Sequence, residues 1–448
     1  MAVGTLLTGG AIVRLFGAQL LPLRLFGWLC TVTAITLPYC CLLDKEQKRD
    51  NLHWLALAFV LMGYGAFQEF SPGTLSVLLL SALWVTQSPI VLGLAVAARF
   101  PNILALLVLI PLWKKKSLWN IPIAAVSAGV VYLLGYCFVT PSPMDAAMTS
   151  HDLIAMLTKL WENSGQLILY AFMAIGVLAI GQRIKDRSSI IYQLSAIVIG
   201  VLLALVAIYT TKPHHWYNTD LTYMLSALIL VIAAGKLPIG AIILMIATLG
   251  TDTAWLKLFP AVLCLLPVAA LMYEAPVRRY LFIVLAIFSA VVVYRMTTNS
   301  IGNNDLTKVQ TIATVAPYNG IAIRQAEQNR LLQYKADFDS LQSKIINQKS
   351  KILSVGQENH LMRAVTGCEA ARFNEFWSNI YDSVYTAKYR EIIGTERPIV
   401  FCSYSPQFKT KPTYQDQQSC FEHMLRDEGY QVLDRSPYKY MIYIPSEN

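Results

Sequence analysis

Lys-Lys-Lys-Ser-Leu-Trp-Asn-Ile-Pro-Ile-Ala-Ala-Val-Ser-Ala-Gly-Val-Val-Tyr-Leu-Leu-Gly-Tyr-Cys-Phe-Val, residues 114–139, decides the fold. Ile121–Val139 carries no charge and is long enough to cross a hydrocarbon core of about 30 Å. Three lysines precede it, the mark of a cytoplasmic loop. Similar apolar runs recur along the chain. Of its 448 residues, 55% are hydrophobic and 14% charged, where a soluble domain carries about 25% charged residues. The pattern predicts a polytopic α-helical membrane protein of about 10 to 12 spans or half-spans.

Beyond Val139 the chain enters Ser142–Gly165, the longest polar connection in the first 300 residues. Thr149 and Asp152 make a capping-box pattern. Leu153, Ile154, Leu157, Leu160 and Trp161 then form one apolar face, and Gly165 stops the helix. Such a helix lies along a membrane surface. Crossing by crossing, the basic clusters fall on one side: Lys45/Lys48/Arg49, the lysine triplet, Arg183/Lys185/Arg187, Lys236 and Arg278/Arg279. That side is the cytoplasm, so the 142–165 loop lies outside it. Before the triplet, Gly4–Phe16 reads as a short helix, Gln19–Leu43 as a full span, and Ser71-Pro72-Gly73 as a turn. Ile90–Ala98 and Ile103–Trp113 are each too short to cross alone and read as buried short spans or a re-entrant pair.

The material changes near residue 300. Residues 1–299 read as the membrane domain; 300–448 read as a small extracytoplasmic α/β domain with a helical lead-in, periplasmic in a Gram-negative host. The net charge of +9 belongs to the first part, with 19 basic and 11 acidic residues before the boundary against 17 and 16 after it. It therefore marks orientation, and no basic, aromatic-interleaved patch suggests a nucleic-acid partner. In the tail, Lys351–Val355, Pro398–Ser403, Tyr430–Leu433 and Tyr440–Ile444 read as strands, the last two paired. No phosphate-binding glycine motif is present. Cys30, Cys40, Cys41, Cys137 and Cys264 read as small buried hydrophobes. Cys368, Cys402 and Cys420 allow one disulfide in the tail.

Ionisable groups at a membrane are candidates for function. Glu69 is either a solvated helix-end carboxylate or an acid facing a substrate chamber. Asp152 is a helix cap or, with His151, a contact for an anionic or polyol ligand. His214 and His215, beside Trp216 and Tyr217, belong to an interfacial aromatic belt or to a sugar or phosphate contact. Their adjacency argues against a metal site, although a metal ion stays open. Arg24 and Arg99 either snorkel or pair with a carboxylate, or hold a lipid phosphate.

Arg14-Leu15-Phe16-Gly17-Ala18-Gln19-Leu20-Leu21-Pro22-Leu23-Arg24-Leu25 resembles the entry to the second membrane helix of GT-C fold glycosyltransferases. That superfamily includes dolichyl-phosphate-mannose protein mannosyltransferases and lipid A aminoarabinose transferases. Gly93-Leu94-Ala95-Val96-Ala97-Ala98-Arg99-Phe100-Pro101-Asn102 is similar to its half-helix pair. The resemblance implies transfer of a sugar from a polyprenyl-phosphate donor to a glycan, lipid or protein acceptor at the outer face of the bacterial inner membrane. It implies no cofactor, because the lipid carries the donor. It also implies a catalytic acid in a loop that would precede Met1, hence either a chain truncated or incorrectly started at its N-terminus or a degenerate member. Glu69, His151 and Asp152 are then supporting candidates, and Arg24, Arg99, His214 and His215 phosphate- or substrate-binding candidates. Competing readings are an O-antigen polymerase or ligase, a transporter or flippase, and a non-catalytic membrane-anchored binding protein.

Overall fold

The computed structural model describes residues 3–17, 19–63, 70–138, 226, 229, 230, 233, 237–248, 254–273, 275–298, 310–316, 318–345, 351–356, 383–403, 421–435 and 440–445. The helix expected at 149–165 lies outside them, as do Glu69, His151, Asp152, His214, His215, Cys368 and Cys420. The chain divides into two units, one holding 1–17, 21–140 and 151–308, the other 18–20, 141–150 and 309–448.

The first unit is helical. Its elements are α1 (Val3–Phe16), α2 (Leu20–Leu42), α3 (Lys45–Asp50), α4 (Leu52–Gly63), α5 (Pro72–Thr86), α6 (Pro89–Ala98), α7 (Leu106–Trp113), α8 (Ser117–Phe138), α9 (Pro238–Met245), α10 (Ala254–Ala269) and α11 (Ala275–Thr298). Among the described residues two helical stretches are long and apolar enough to cross a membrane, Leu20–Leu42 and the run Phe100–Phe138. The sequence boundaries hold closely, with two differences. Ser71-Pro72-Gly73 is a helix start rather than a turn: Ser71 accepts from the Thr74 amide at 3.3 Å, Thr74 Oγ1 accepts from the Ser71 amide at 2.9 Å, and Pro72 opens α5. The α8 helix begins at Ser117, because the lysine triplet is itself a 3-10 turn feeding it. Of the cysteines in the first unit, Cys30 and Cys264 are buried as expected, while Cys40, Cys41 and Cys137 are exposed.

The packing is close where the residues are small. A Cβ added at Gly93 of α6 would stand 2.4 Å from the Ala124 carbonyl oxygen of α8 and 2.6 Å from the Ser127 Cβ. Further along the same pair, the Tyr132 hydroxyl donates to the Val96 carbonyl at 3.5 Å, so α6 and α8 run in the same direction. Ser81 of α5 donates to the Ala34 carbonyl of α2 at 2.6 Å. The core between these helices is mainly apolar, with Ile35, Trp54, Leu80, Leu83, Leu92, Leu109 and Phe259 near zero exposure.

The α6–α7 pair is a hairpin. Gln87 caps α5 in the left-handed region (φ 51°), and its carbonyl accepts the Trp113 indole N–H at 2.8 Å. The end of α7 thus returns to the residue before α6 begins. Lys114, with φ 53°, then turns the chain into α8.

The second unit is mixed α/β. A two-stranded antiparallel ribbon, β1 (Gln310–Ile312) and β2 (Ala322–Arg324), leads directly into α12 (Gln325–Ile345). The four-stranded sheet contains β3 (Ile352–Gly356), β4 (Ile399–Ser403), β5 (Tyr430–Arg435) and β6 (Tyr440–Pro445) in the order β3-β4-β6-β5. The β3–β4 pair is parallel, and the other pairs are antiparallel. A parallel pair needs a crossover, and α13 (Ser383–Glu396) lies in the connection. A further helix, α14 (421–427), precedes β5. Tyr389, Ile392 and Ile393 of α13 and Phe421, Met424 and Leu425 of α14 pack with Leu353, Val400, Tyr430 and Tyr443 of the sheet. Gly429 (φ 75°) ends α14, where its handedness requires glycine. Arg397 donates to the Glu428 carbonyl at 2.7 Å and stands 5.2 Å over the Tyr430 ring.

Candidate functional site at a buried helix break

Pro101 makes the break. It has no N–H to give a helix, and the extended residue at the junction is Arg99 (φ −162°, ψ 117°). The α6 helix therefore stops at Ala98, and Phe100–Ala105 continues as a 3-10 helix. A helix that ends inside apolar surroundings leaves carbonyls that must find donors.

Here they find them within the break itself and from α1 and α8. The Ala95 carbonyl accepts the Arg99 amide at 2.9 Å and the Asn102 side-chain amide at 2.8 Å. The Ala98 carbonyl accepts the Thr5 hydroxyl of α1 at 3.1 Å. Tyr132 of α8 serves Val96 as described above. Asn102 uses its other end as well, accepting from the Ser76 hydroxyl of α5 at 3.0 Å. Ser76 and Asn102 have no exposure, and Thr5 has 6%. The junction is a satisfied polar network in an apolar unit.

Arg99 adds a charge. Only 8% exposed, it donates through Nη1 to the Ala247 carbonyl. Ala247 belongs to the 3-10 turn Ile246–Thr248 that follows α9. The α9 helix resembles α6 in design: both are short, and both open on proline. Gly240 of α9 faces the Trp84 indole near the end of α5, where an added Cβ would come within 2.4 Å. The α9 helix thus begins beside the end of α5, next to the start of α6, and ends beside the end of α6. Two helix C-termini, each with a partial negative charge, meet at one guanidinium.

Of the candidate residues read from sequence, the structure places Arg24 and Arg99. Arg24 is half-buried near the start of α2, where Phe26 meets Phe70 edge-on at 5.2 Å. Arg99 lies at the break, and the Thr5, Ser76, Asn102 and Ala247 groups around it were not singled out by sequence. Asn102 had a signal, a lone amide at the start of an apolar run directly after a proline. Thr5 and Ala247 had none, since their part comes from contacts 93 and 148 residues away. Among the described residues no group of three His, Cys, Asp or Glu side chains could hold a metal ion.

Compared with protein-family models, curated proteins and solved structures, the chain matches none of them.

Proposed function

We propose that the chain is a polytopic membrane glycosyltransferase of GT-C type, moving a sugar from a polyprenyl-phosphate donor to a glycan, lipid or protein acceptor at the outer face of the bacterial inner membrane. The observation that carries this reading is the buried arginine at the α6–α7 break, within the very residues, Gly93–Asn102, that resemble the family's half-helix pair. The apolar exposure of α8 supports a lipid environment, with Leu118, Trp119 and Phe138 each more than 70% exposed. A phosphate oxygen is a stronger acceptor for a guanidinium than a carbonyl. Donor binding exchanges the Arg99–Ala247 bond for one to the leaving phosphate, where positive charge stabilises the departing group. Glu69, His151, Asp152, His214, His215 and Arg24 remain the other candidates for the pocket.

The test is sugar transfer in membranes containing the full chain, using labelled polyprenyl-phosphate sugars. Label is expected to enter a glycan, lipid or protein fraction. Arg99→Gln is expected to lower the rate at least tenfold at equal protein level, the cost of one lost electrostatic contact to the transferring group. No transfer from any donor, or an undiminished rate in Arg99→Gln, would overturn the proposal.

One observation favours a second reading. Half-helices whose ends converge on a buried charge are how transporters build substrate sites, and α6 and α9 do this at Arg99. Movement of a polyprenyl-linked sugar across vesicles, without transfer, would establish that reading.

A further inference from the structure

The α4 and α11 helices begin at one corner of the first unit. The His53 and Trp54 rings, in the first turn of α4, meet the Phe282 ring of α11 edge-on at 4.8 and 5.1 Å. Neither helix carries an acidic residue in its first turn. Both positive helix ends therefore add to the potential there. Arg278 and Arg279 follow within the first five residues of α11, the end of a helix that disfavours cations. Arg278 is one turn from Phe282 and within electrostatic reach of the His53 ring. The neighbouring α3 adds no net charge, since its two lysines and one arginine are matched by Asp44, Glu46 and Asp50, with Arg49 and Asp50 3.9 Å apart. Glu274, just before α11, lies outside the described residues.

A second observation is independent of charge. Asn51 and Trp54 are each 1% exposed, yet the Asn51 amide oxygen and the Trp54 indole N–H have no hydrogen-bond partner among the described residues. Buried polar atoms left unmatched are rare and call for an explanation. A third is the surface beyond the arginines. Tyr280, Ile283, Val284 and Ile287 of α11 are each more than half exposed, forming an apolar strip that continues from the basic corner.

We infer that this corner binds the headgroup phosphate of an anionic phospholipid, with the acyl chains along the exposed strip of α11. Two arginines suit a phosphate by their planar, paired donors, and they stand at the corner where the Trp54 N–H has no partner among the described residues. The inference rests on the membrane part of the reading above and not on sugar transfer.

The experiment uses the full chain in phosphatidylcholine nanodiscs, with and without 10 mol% phosphatidylglycerol, and reads the thermal midpoint and bound lipid by native mass spectrometry. Phosphatidylglycerol is expected to remain bound and to raise the midpoint. Arg278→Gln and Arg279→Gln should each weaken binding roughly fivefold, the share of one basic residue at an anionic surface. Arg278→Lys/Arg279→Lys should retain part of the effect, and Lys115→Gln/Lys116→Gln, at another basic cluster, should retain all of it. Equal retention of phosphatidylglycerol by the Arg→Gln variants overturns the site. Equal protection by soluble glycerol phosphate overturns its assignment to lipid. Failure of the membrane reading is separable, because the chain would then be released from membranes by alkaline carbonate.

Discussion

Tyr430 is 4% exposed, and its hydroxyl is buried without a hydrogen-bond partner among the described residues. Burial pushes the phenol well above its ordinary value; Arg397 pulls it back, and Glu428 adds to the rise. Neutral phenol is thus favoured in the folded state. The stability it contributes is complete below the unfolded phenol pKa of about 10 and falls as pH rises beyond it, because the unfolded chain then releases a proton that the folded chain retains. Tyr430→Phe removes an unmatched polar atom that costs about 1–3 kcal/mol. The variant is expected to be at least as stable as the parent at pH 7 and to lose less stability between pH 9 and 11, measured by denaturant unfolding. At this scale the sequence announces charge but not partners. Arg99 stands out in an apolar run; the carbonyl it bonds belongs to a turn 148 residues on and carries no sequence mark.

At the scale of elements, glycine shows what packing demands. Gly93 and Gly129 both lie in apolar helices and look alike in sequence. An added Cβ at Gly93 meets α8 backbone at 2.4 Å, whereas at Gly129 none of the described residues lies within 4 Å. Gly93→Ala is expected to destabilise by about 3 kcal/mol or more, because the obstacle is backbone rather than a side chain that can rotate. Gly129→Ala should be neutral or stabilising by up to about 1 kcal/mol, from helix propensity alone. Thermal unfolding in detergent separates the two outcomes. Helix positions were legible because apolar runs, prolines and basic breaks mark them. So were the paired strands at Tyr430–Arg435 and Tyr440–Pro445, each a short β-rich run. The β1–β2 ribbon was not, since three-residue strands are too short to show a period. The neighbour of β3 was not either, because a parallel partner is chosen by the crossover rather than by the strand itself.

At the scale of the whole molecule, composition marks a change near residue 300, and the structure divides its two units within ten residues of it, apart from short excursions. Sidedness is a further matter, and labelling measures it. With single cysteines in a cysteine-free background, Ser88→Cys and Lys115→Cys are expected to react from one side of the membrane, because the α6–α7 hairpin closes between them. Gln325→Cys, at the start of α12, is expected to react from the other. Opposite labelling of the first pair would make α6 and α7 separate spans and end the hairpin interpretation.

That closure bears on how the protein is made. The α6 and α7 helices, ten and eight residues long, fall short of the length an insertion apparatus accepts as a crossing. Hydrocarbon offers no donors for the carbonyls exposed at Ala95, Val96 and Ala98. Ala95 is served within the hairpin by Arg99 and Asn102, but the donor for Ala98 comes from Thr5, already synthesised, and that for Val96 from Tyr132, still to emerge. In the membrane reading proposed above, closure of the hairpin against its neighbours awaits α8, so Pro89–Phe138 is expected to enter the membrane as one unit rather than as separate crossings.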